Sequence, residues 1–228
     1  MKLFTFFPFL ILAVTLHLSA QECEPFFPME QGAHFEMTSY DAKGKVTSSV
    51  KQTVLEKNVQ ENKVELTVKM ESFSAKGKAM EPKEYKVSCE EGVFKIDMSY
   101  FIDEEAMKNY RNMEATVEGN ALDYPSSMRA GQTLPDGEIK ISIGMGGINI
   151  MNMRVLISDR KVEGTESVTT PAGTFDCFKI SYNIETKFGI KIERRAVEWI
   201  AKNVGVVRTE SYKGDKLEAR TELTRLEK

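Results

Sequence analysis

The run VELTVKME, Val64 to Glu71, decides the fold class: Val64, Leu66, Val68 and Met70 alternate with Glu65, Thr67, Lys69 and Glu71. Successive side chains of an extended strand point to opposite faces, so this run sets one face in a core and the other in water. The same period returns outward along the chain. Tyr85, Val87 and Cys89 alternate with Lys86 and Ser88, and Phe94, Ile96, Met98 and Tyr100 alternate with Lys95, Asp97 and Ser99. Later, Phe178, Ile180, Tyr182 and Ile184 oppose Lys179, Ser181, Asn183 and Glu185. Each reads as an antiparallel strand with one wet face.

Turn chemistry separates these runs. Asp41 to Lys45 (DAKGK), Lys213 to Lys216 (KGDK) and Thr170 to Gly173 (TPAG) supply Gly, Asp or Pro where hairpins need them. One helix is expected from Ile102 to about Met113, capped by Asp103, with Glu104 and Glu105 in its first turn and Arg111 in its last. Tyr124 to Gly137 holds two prolines and two glycines and reads as a boundary between two sheets. With no repeat or low-complexity tract visible, solenoids and disordered linkers are disfavoured. The expected fold is mainly β: a strongly curved antiparallel sheet forming an open or half barrel, with one short helix packed on its concave side.

Residues 1–20 have the order of a secretory signal: Lys2, an apolar run from Leu3 to Leu18, then Ser19 and Ala20, with cleavage expected before Gln21. Pro8 and His17 interrupt the apolar run, which argues against a permanent anchor, and no transmembrane segment is expected after cleavage. A lipid anchor on Cys23 is disfavoured by the Ala20, Gln21 and Glu22 that precede it. Residues 21–228 are expected to be a single domain of 208 residues, long enough to bury a core. Loss of Lys2 takes 31 basic residues to 30 against 34 acidic ones, so the net charge moves from −3 to −4. With no basic stripe in addition, nucleic-acid binding lacks its usual electrostatic term.

Cys23, Cys89 and Cys177 all survive cleavage into an oxidising compartment, with no CxxC pair or metal knuckle among them. Cys89 ends a strand beside the turn Glu90, Glu91 and Gly92, where an N-terminal segment carrying Cys23 can reach it. Cys177 sits between Phe175 and Phe178, a setting in which a thiol behaves as a small hydrophobe. The expected bridge is Cys23 to Cys89, worth about 4 kcal/mol in the chain-entropy model.

No conventional catalytic set is present in the sequence. The exported part has one histidine, His34, in an early strand and without a nucleophile and orienter beside it, so no histidine-based zinc site is expected. Two S-x-x-K spacings occur, Ser48 to Lys51 in an expected strand and Ser158 to Lys161 in an expected turn. The spacing serves chemistry when a helix sets both side chains on one face, whereas strand residues three apart point to opposite sides and a turn supplies no such face. Gly144, Met145, Gly146 and Gly147 lack the third glycine of a dinucleotide loop and read as a strand connection. Trp199, in phase with Val197 and Ala201, reads as a core or half-buried residue of a strand rather than a stacking platform. No enzyme activity, cofactor or metal is expected.

From Ile139 to Ile157 the alternation blurs, with apolar side chains on both faces. Either this hairpin is buried on both sides, or one face lines something other than water. In the second case Met145, Ile148, Ile150, Met151 and Met153 are the candidate ligand-binding residues, since methionine adapts to irregular partners.

Four segments carry a resemblance: CEPFFPMEQGAHFEM (Cys23 to Met37), YPSSMRAGQTLPDG (Tyr124 to Gly137), VTTPAGTFDCFKI (Val168 to Ile180) and EWIAKNVGVVRTESY (Glu198 to Tyr212). Together they resemble a group of exported bacterial β-proteins described as domains of unknown function and as TapB-like. The match covers nearly the whole exported chain, and its motifs are structural: Gly32, Gly131, Gly173 and Gly205 look like turn or close-packing positions, and Pro171 pre-sets a turn. The resemblance implies kinship with half-barrel envelope proteins similar to lipoprotein carriers, whose concave faces hold acyl chains. The signal ending LSAQ resembles those of Bacteroidetes, which implies a periplasmic or outer-membrane-associated product. The expected function is therefore a non-enzymatic envelope protein that binds a lipid or other apolar ligand. The alternative is an assembly module that binds envelope protein partners through its sheet edges.

Overall fold

The computed structural model describes residues 24–102, 107 and 113–227. Among them the chain forms β1 (His34–Asp41), β2 (Val46–Gln60), β3 (Lys63–Ser74), β4 (Lys83–Glu90), β5 (Val93–Asp97), β6 (Glu114–Gly119) and β7 (Ala121–Pro125). There follow β8 (Gly137–Met145), β9 (Ile148–Thr170), β10 (Gly173–Phe188), β11 (Ile190–Ala201), β12 (Gly205–Lys213) and β13 (Lys216–Glu227). All neighbours pair antiparallel in one sheet, ordered β6-β8-β9-β10-β11-β12-β13-β1-β2-β3-β4-β5-β7.

That order requires curvature. β6 and β7 are the two edges of the sheet, yet only Asn120 separates them in the chain, so the sheet curls until its edges meet. Asn120 fastens the seam: its side chain accepts from the Glu138 amide at 2.6 Å and donates to the Asp136 carbonyl at 2.9 Å. Gly137 of β8 leaves room for Leu122 of β7, whose Cδ1 lies 2.7 Å from where a Cβ would stand. The expected half barrel is thus a nearly closed one, and closure removes most of the exposed edge that an open sheet carries. Tyr124 to Gly137 does not divide two sheets; it leads from one edge of a single sheet back to the β8 side of the seam.

The two ends of the barrel differ. Because neighbouring strands are antiparallel, turns alternate between the ends. Residues 61–62, 91–92, 171–172 and 202–204 turn at one end; 42–45, 75–82, 146–147, 189 and 214–215 turn at the other. The first end is plugged by the N-terminal segment, whose Pro25 carbonyl accepts from the Asn203 amide at 2.8 Å. Phe26 packs edge-on to Phe178 at 5.9 Å between centroids, and Phe27 packs edge-on to Phe35 at 5.1 Å. The opposite end is called the rim below.

The alternation from Phe94 to Tyr100 stops earlier than expected. β5 ends at Asp97, whose carboxylate accepts from the Ser99 amide at 2.7 Å and starts a 3-10 turn at Met98–Phe101. Lys83 holds its far side by donating to the carbonyls of Tyr100 (2.7 Å) and Ile102 (2.9 Å). The turn carries Tyr100 and Phe101 into the barrel from the rim side. Most of the segment expected to be helical, 102–113, lies outside the described residues; Met107 within it has helical backbone and packs against the core. The four-residue 3-10 turn Met98–Phe101 lies just before that segment. The second S-x-x-K pair also differs from expectation: Ser158 and Lys161 lie within strand β9, not in a turn.

Candidate ligand cavity inside the barrel

One face of almost every strand points into the barrel, and these faces do not fill it. A cavity of about 310 Å³ remains, walled by Phe26, Phe27, Phe35, Met37, Val50, Ile96, Tyr100, Phe101, Ile184 and Val206. Such a volume lies at the lower end of the range for small-molecule sites. Gln52, Tyr85, Tyr124, Tyr182 and Glu198 add polar atoms to an otherwise apolar wall.

Glu198 lies on β11 in phase with Ala196 and Ile200, so the pleat carries its carboxyl inward among buried neighbours. Tyr124, on β7, donates to Glu198 Oε1 at 3.0 Å. Burial pushes the Glu198 carboxyl above the ordinary carboxylate range, against the opposing pull of the Arg160 guanidinium and the Tyr124 hydroxyl. Burial likewise raises Tyr124, Tyr182 and Tyr85 well above the usual phenol range, so all three stay protonated. The Tyr85 hydroxyl is satisfied by donating to Gln52 Oε1.

Arg160 is the largest fully buried side chain of the described residues. It reaches the interior because β9 bulges there: the pairing with β10 shifts register between Ser181 and Asn183, and Asp159 adopts φ 54°. Its guanidinium stacks 4.6 Å from the Tyr124 ring centroid and donates through Nη1 to the carbonyls of Asp123 (2.9 Å) and Pro135 (2.6 Å). Arg160 thereby holds the loop after β7 and orients the tyrosine that meets Glu198.

A smaller apolar cavity of about 170 Å³ lies toward the rim, lined by Phe101, Ile102, Ile139, Ile141, Met153, Val155, Thr186 and Phe188. Phe101 lines both cavities. Inward positions of β10 run from one to the other: Tyr182 and Ile184 border the larger, Thr186 and Phe188 the smaller. A buried polar pair and an apolar track leading to it suit a molecule with a greasy tail and an uncharged hydrogen-bonding head. Among the described residues, no group of three or more His, Cys, Asp or Glu side chains is placed to hold a metal ion.

The residues singled out from sequence divide. Met151 and Met153 are half-buried against the core, and Met153 lines the smaller cavity. Met145, Ile148 and Ile150 are exposed on the tip of the β8–β9 hairpin, around the Gly146–Gly147 turn with φ 60° and 79°. The larger cavity is built from other residues altogether. Glu198 had a legible signal, a carboxylate in phase with buried Ala196 and Ile200; Arg160 had none, because a bulge brings it inward.

Other expectations concern isolated residues. Trp199 is buried on the face of β11 opposite Glu198, beneath Lys179 and Arg208, with its indole N–H donating to Glu166 at 2.6 Å. His34 opens β1 with its ring nitrogens near Thr53 (3.1 Å) and Glu36 (3.3 Å), a surface arrangement. Cys177 is a buried free thiol, pushed up to about 12 chiefly by burial. Cys89 is buried at the end of β4, and its expected partner Cys23 lies outside the described residues.

Comparison with known proteins places this architecture. A protein of Bacteroides fragilis described as exported and of YmcC-like fold is 26% identical, with a TM-score of 0.74 over 90% of this chain and 100% of its own. A protein of Parabacteroides distasonis described as a lipoprotein is 30% identical, with a TM-score of 0.75 over 91% of this chain and 100% of its own. No curated protein sequence matches. The DUF3108-like family model matches residues 30–223, and the chain belongs to the DUF3108-like family.

Proposed function

We propose that this protein is an exported, non-enzymatic envelope protein that holds an acyl chain, or a similar apolar tail with an uncharged hydrogen-bonding head, inside its barrel. The observation that carries the reading is the apolar cavity of about 310 Å³ with the Tyr124–Glu198 pair on its wall. Export is supported by the signal-like residues 1–20 and by the descriptions of the two structural neighbours. The track along β10 supplies a path to the rim, and the Tyr124–Glu198 pair supplies a polar anchor on the cavity wall. The sheet-edge alternative has less to support it, because the edge strands β6 and β7 converge at Asn120.

The test is uptake of a fluorescent monoacylglycerol and a fluorescent fatty acid by delipidated protein, with native mass spectrometry of protein taken from its own host. Saturable uptake is expected, lost in Val50→Trp, which fills the cavity from β2. Absence of uptake by a folded protein, or uptake unaffected by Val50→Trp, sinks the reading.

A further inference from the structure

The rim joins two features that scattered surface residues do not combine. The first is apolar and lies on one face. Cross-strand partners share a face of a sheet, and the row Ile141, Met153, Phe188 and Ile190 crosses β8, β9, β10 and β11 in register. Exposure rises along it, from a buried Ile141 to Ile190 at 77%. Ile148, 71% exposed and paired with Met145, extends the face past the last turn of β8. This is the inward face, continued beyond the point where the barrel covers it.

The second feature is charge. The turns that share this end are rich in lysine: Lys43 and Lys45 after β1, Lys76 and Lys78 after β3, and Lys213 and Lys216 around the β12–β13 turn. All six are exposed, and none forms an ion pair among the described residues. Asp41, Glu81 and Asp215 share this end, but the Asp41 carboxylate is engaged by the backbone amides of Lys43 and Lys45 at 2.8 and 2.9 Å, and Glu81 is itself partnered. The plugged end has no such lysine excess: its turns carry Glu61 and Glu91 against Lys202. A chain that is acidic overall has thus placed unpaired cations at one end, beside its exposed isoleucines.

We propose that the rim seats on an anionic lipid surface, the lysines meeting headgroups and the tips around Ile148 and Ile190 entering the acyl boundary. Charge complementarity selects this occupant: a second copy presenting the same end would set lysine against lysine, whereas an anionic leaflet attracts each of them. Seating does not depend on the interior holding a ligand. It does deepen that reading, because it brings the opening of the smaller cavity to a lipid surface.

The experiment is co-sedimentation of the exported chain with phosphatidylglycerol-containing vesicles and with pure phosphatidylcholine vesicles, at low and raised salt. Binding to the anionic vesicles alone is expected, weakened by salt and falling about fivefold for each lysine removed in K76Q/K78Q. Ile148→Ser with Ile190→Ser is expected to weaken it further, whereas Lys202→Gln at the plugged end and Val50→Trp inside leave it unchanged. Unchanged thermal unfolding of each variant confirms that it is folded. No binding, equal binding to both vesicle types, equal loss in Lys202→Gln, or a dimer formed through this end in solution overturns the proposal. A protein that binds vesicles but takes up no acyl probe separates this inference from the proposed function.

Discussion

Tyr124 and Glu198 meet across the interior: β7 and β11 stand eight positions apart in the sheet order, yet the phenol donates to the carboxyl at 3.0 Å. The contact ties the edge strand of the seam to the opposite wall. It also keeps a carboxyl in a site where ionisation is penalised by burial.

That penalty has a pH signature. A carboxyl whose folded pKa lies above its unfolded value of about 4.5 binds its proton more tightly in the folded state. The stabilisation is full below that unfolded value and is lost as pH rises through the raised folded one. Urea midpoints measured across this range should decline in the wild type, with a shallower decline in Glu198→Gln. Identical slopes in the two proteins would show that Glu198 is not the group responsible.

Arg160 donates to two carbonyls through one nitrogen and stacks on Tyr124, so no shorter or more flexible cation replaces it. Arg160→Ala is expected to lose about 3 kcal/mol of unfolding free energy, since hydrogen bonds to charged groups are worth about 1.5–3 kcal/mol each and two acceptors are stranded. Arg160→Lys should recover only part of it. Chemical denaturation of both variants checks the order, and a lysine variant as stable as the wild type would refute it.

The cysteines make a prediction about reactivity. With its thiol pushed up to about 12, Cys177 should resist alkylation in the folded protein at neutral pH and react once the chain is unfolded. Non-reducing peptide mapping of exported protein is expected to find Cys23 joined to Cys89. Recovery of Cys177 in any bridge would refute both statements.

Two glycines at the seam should differ in cost. A Cβ on Gly119 would stand 2.6 Å from the Glu138 carbonyl oxygen, a backbone atom in the β6–β8 ladder. On Gly137 it would meet the ends of the Leu122 and Met98 side chains at 2.7 and 2.9 Å, which can move. Gly119→Ala is therefore expected to cost about 2–3 kcal/mol and Gly137→Ala less, read from thermal or urea unfolding. The reverse order would mean that the β6–β8 backbone yields more easily than the packed core.

Local periodicity carried the strands and little beyond them. Val64 to Glu71 falls inside β3, Tyr85 to Cys89 inside β4 and Phe178 to Ile184 inside β10, because a wet face and a dry face leave a mark on each residue. Closure left no such mark: it follows from β6 and β7 being chain neighbours at opposite edges, a relation between distant pairings. The site was legible in part for the same reason. Met153 could be read from its own neighbourhood, while the Tyr124–Glu198 pair joins residues 74 positions apart and Arg160 depends on a bulge that alternation does not announce.

The pairing of β1 with β13 has a temporal consequence. His34 lies opposite Glu227, so the first strand, paired on its other side with β2, gains its second neighbour only when the twelve-residue β13 has been synthesised. Neither half of the polypeptide can complete the ring beforehand, and pairings of such sequence separation form slowly. The ring therefore closes only after β13 has been made. A chain that stays open until β13 appears is well suited to passage through a narrow translocation pore.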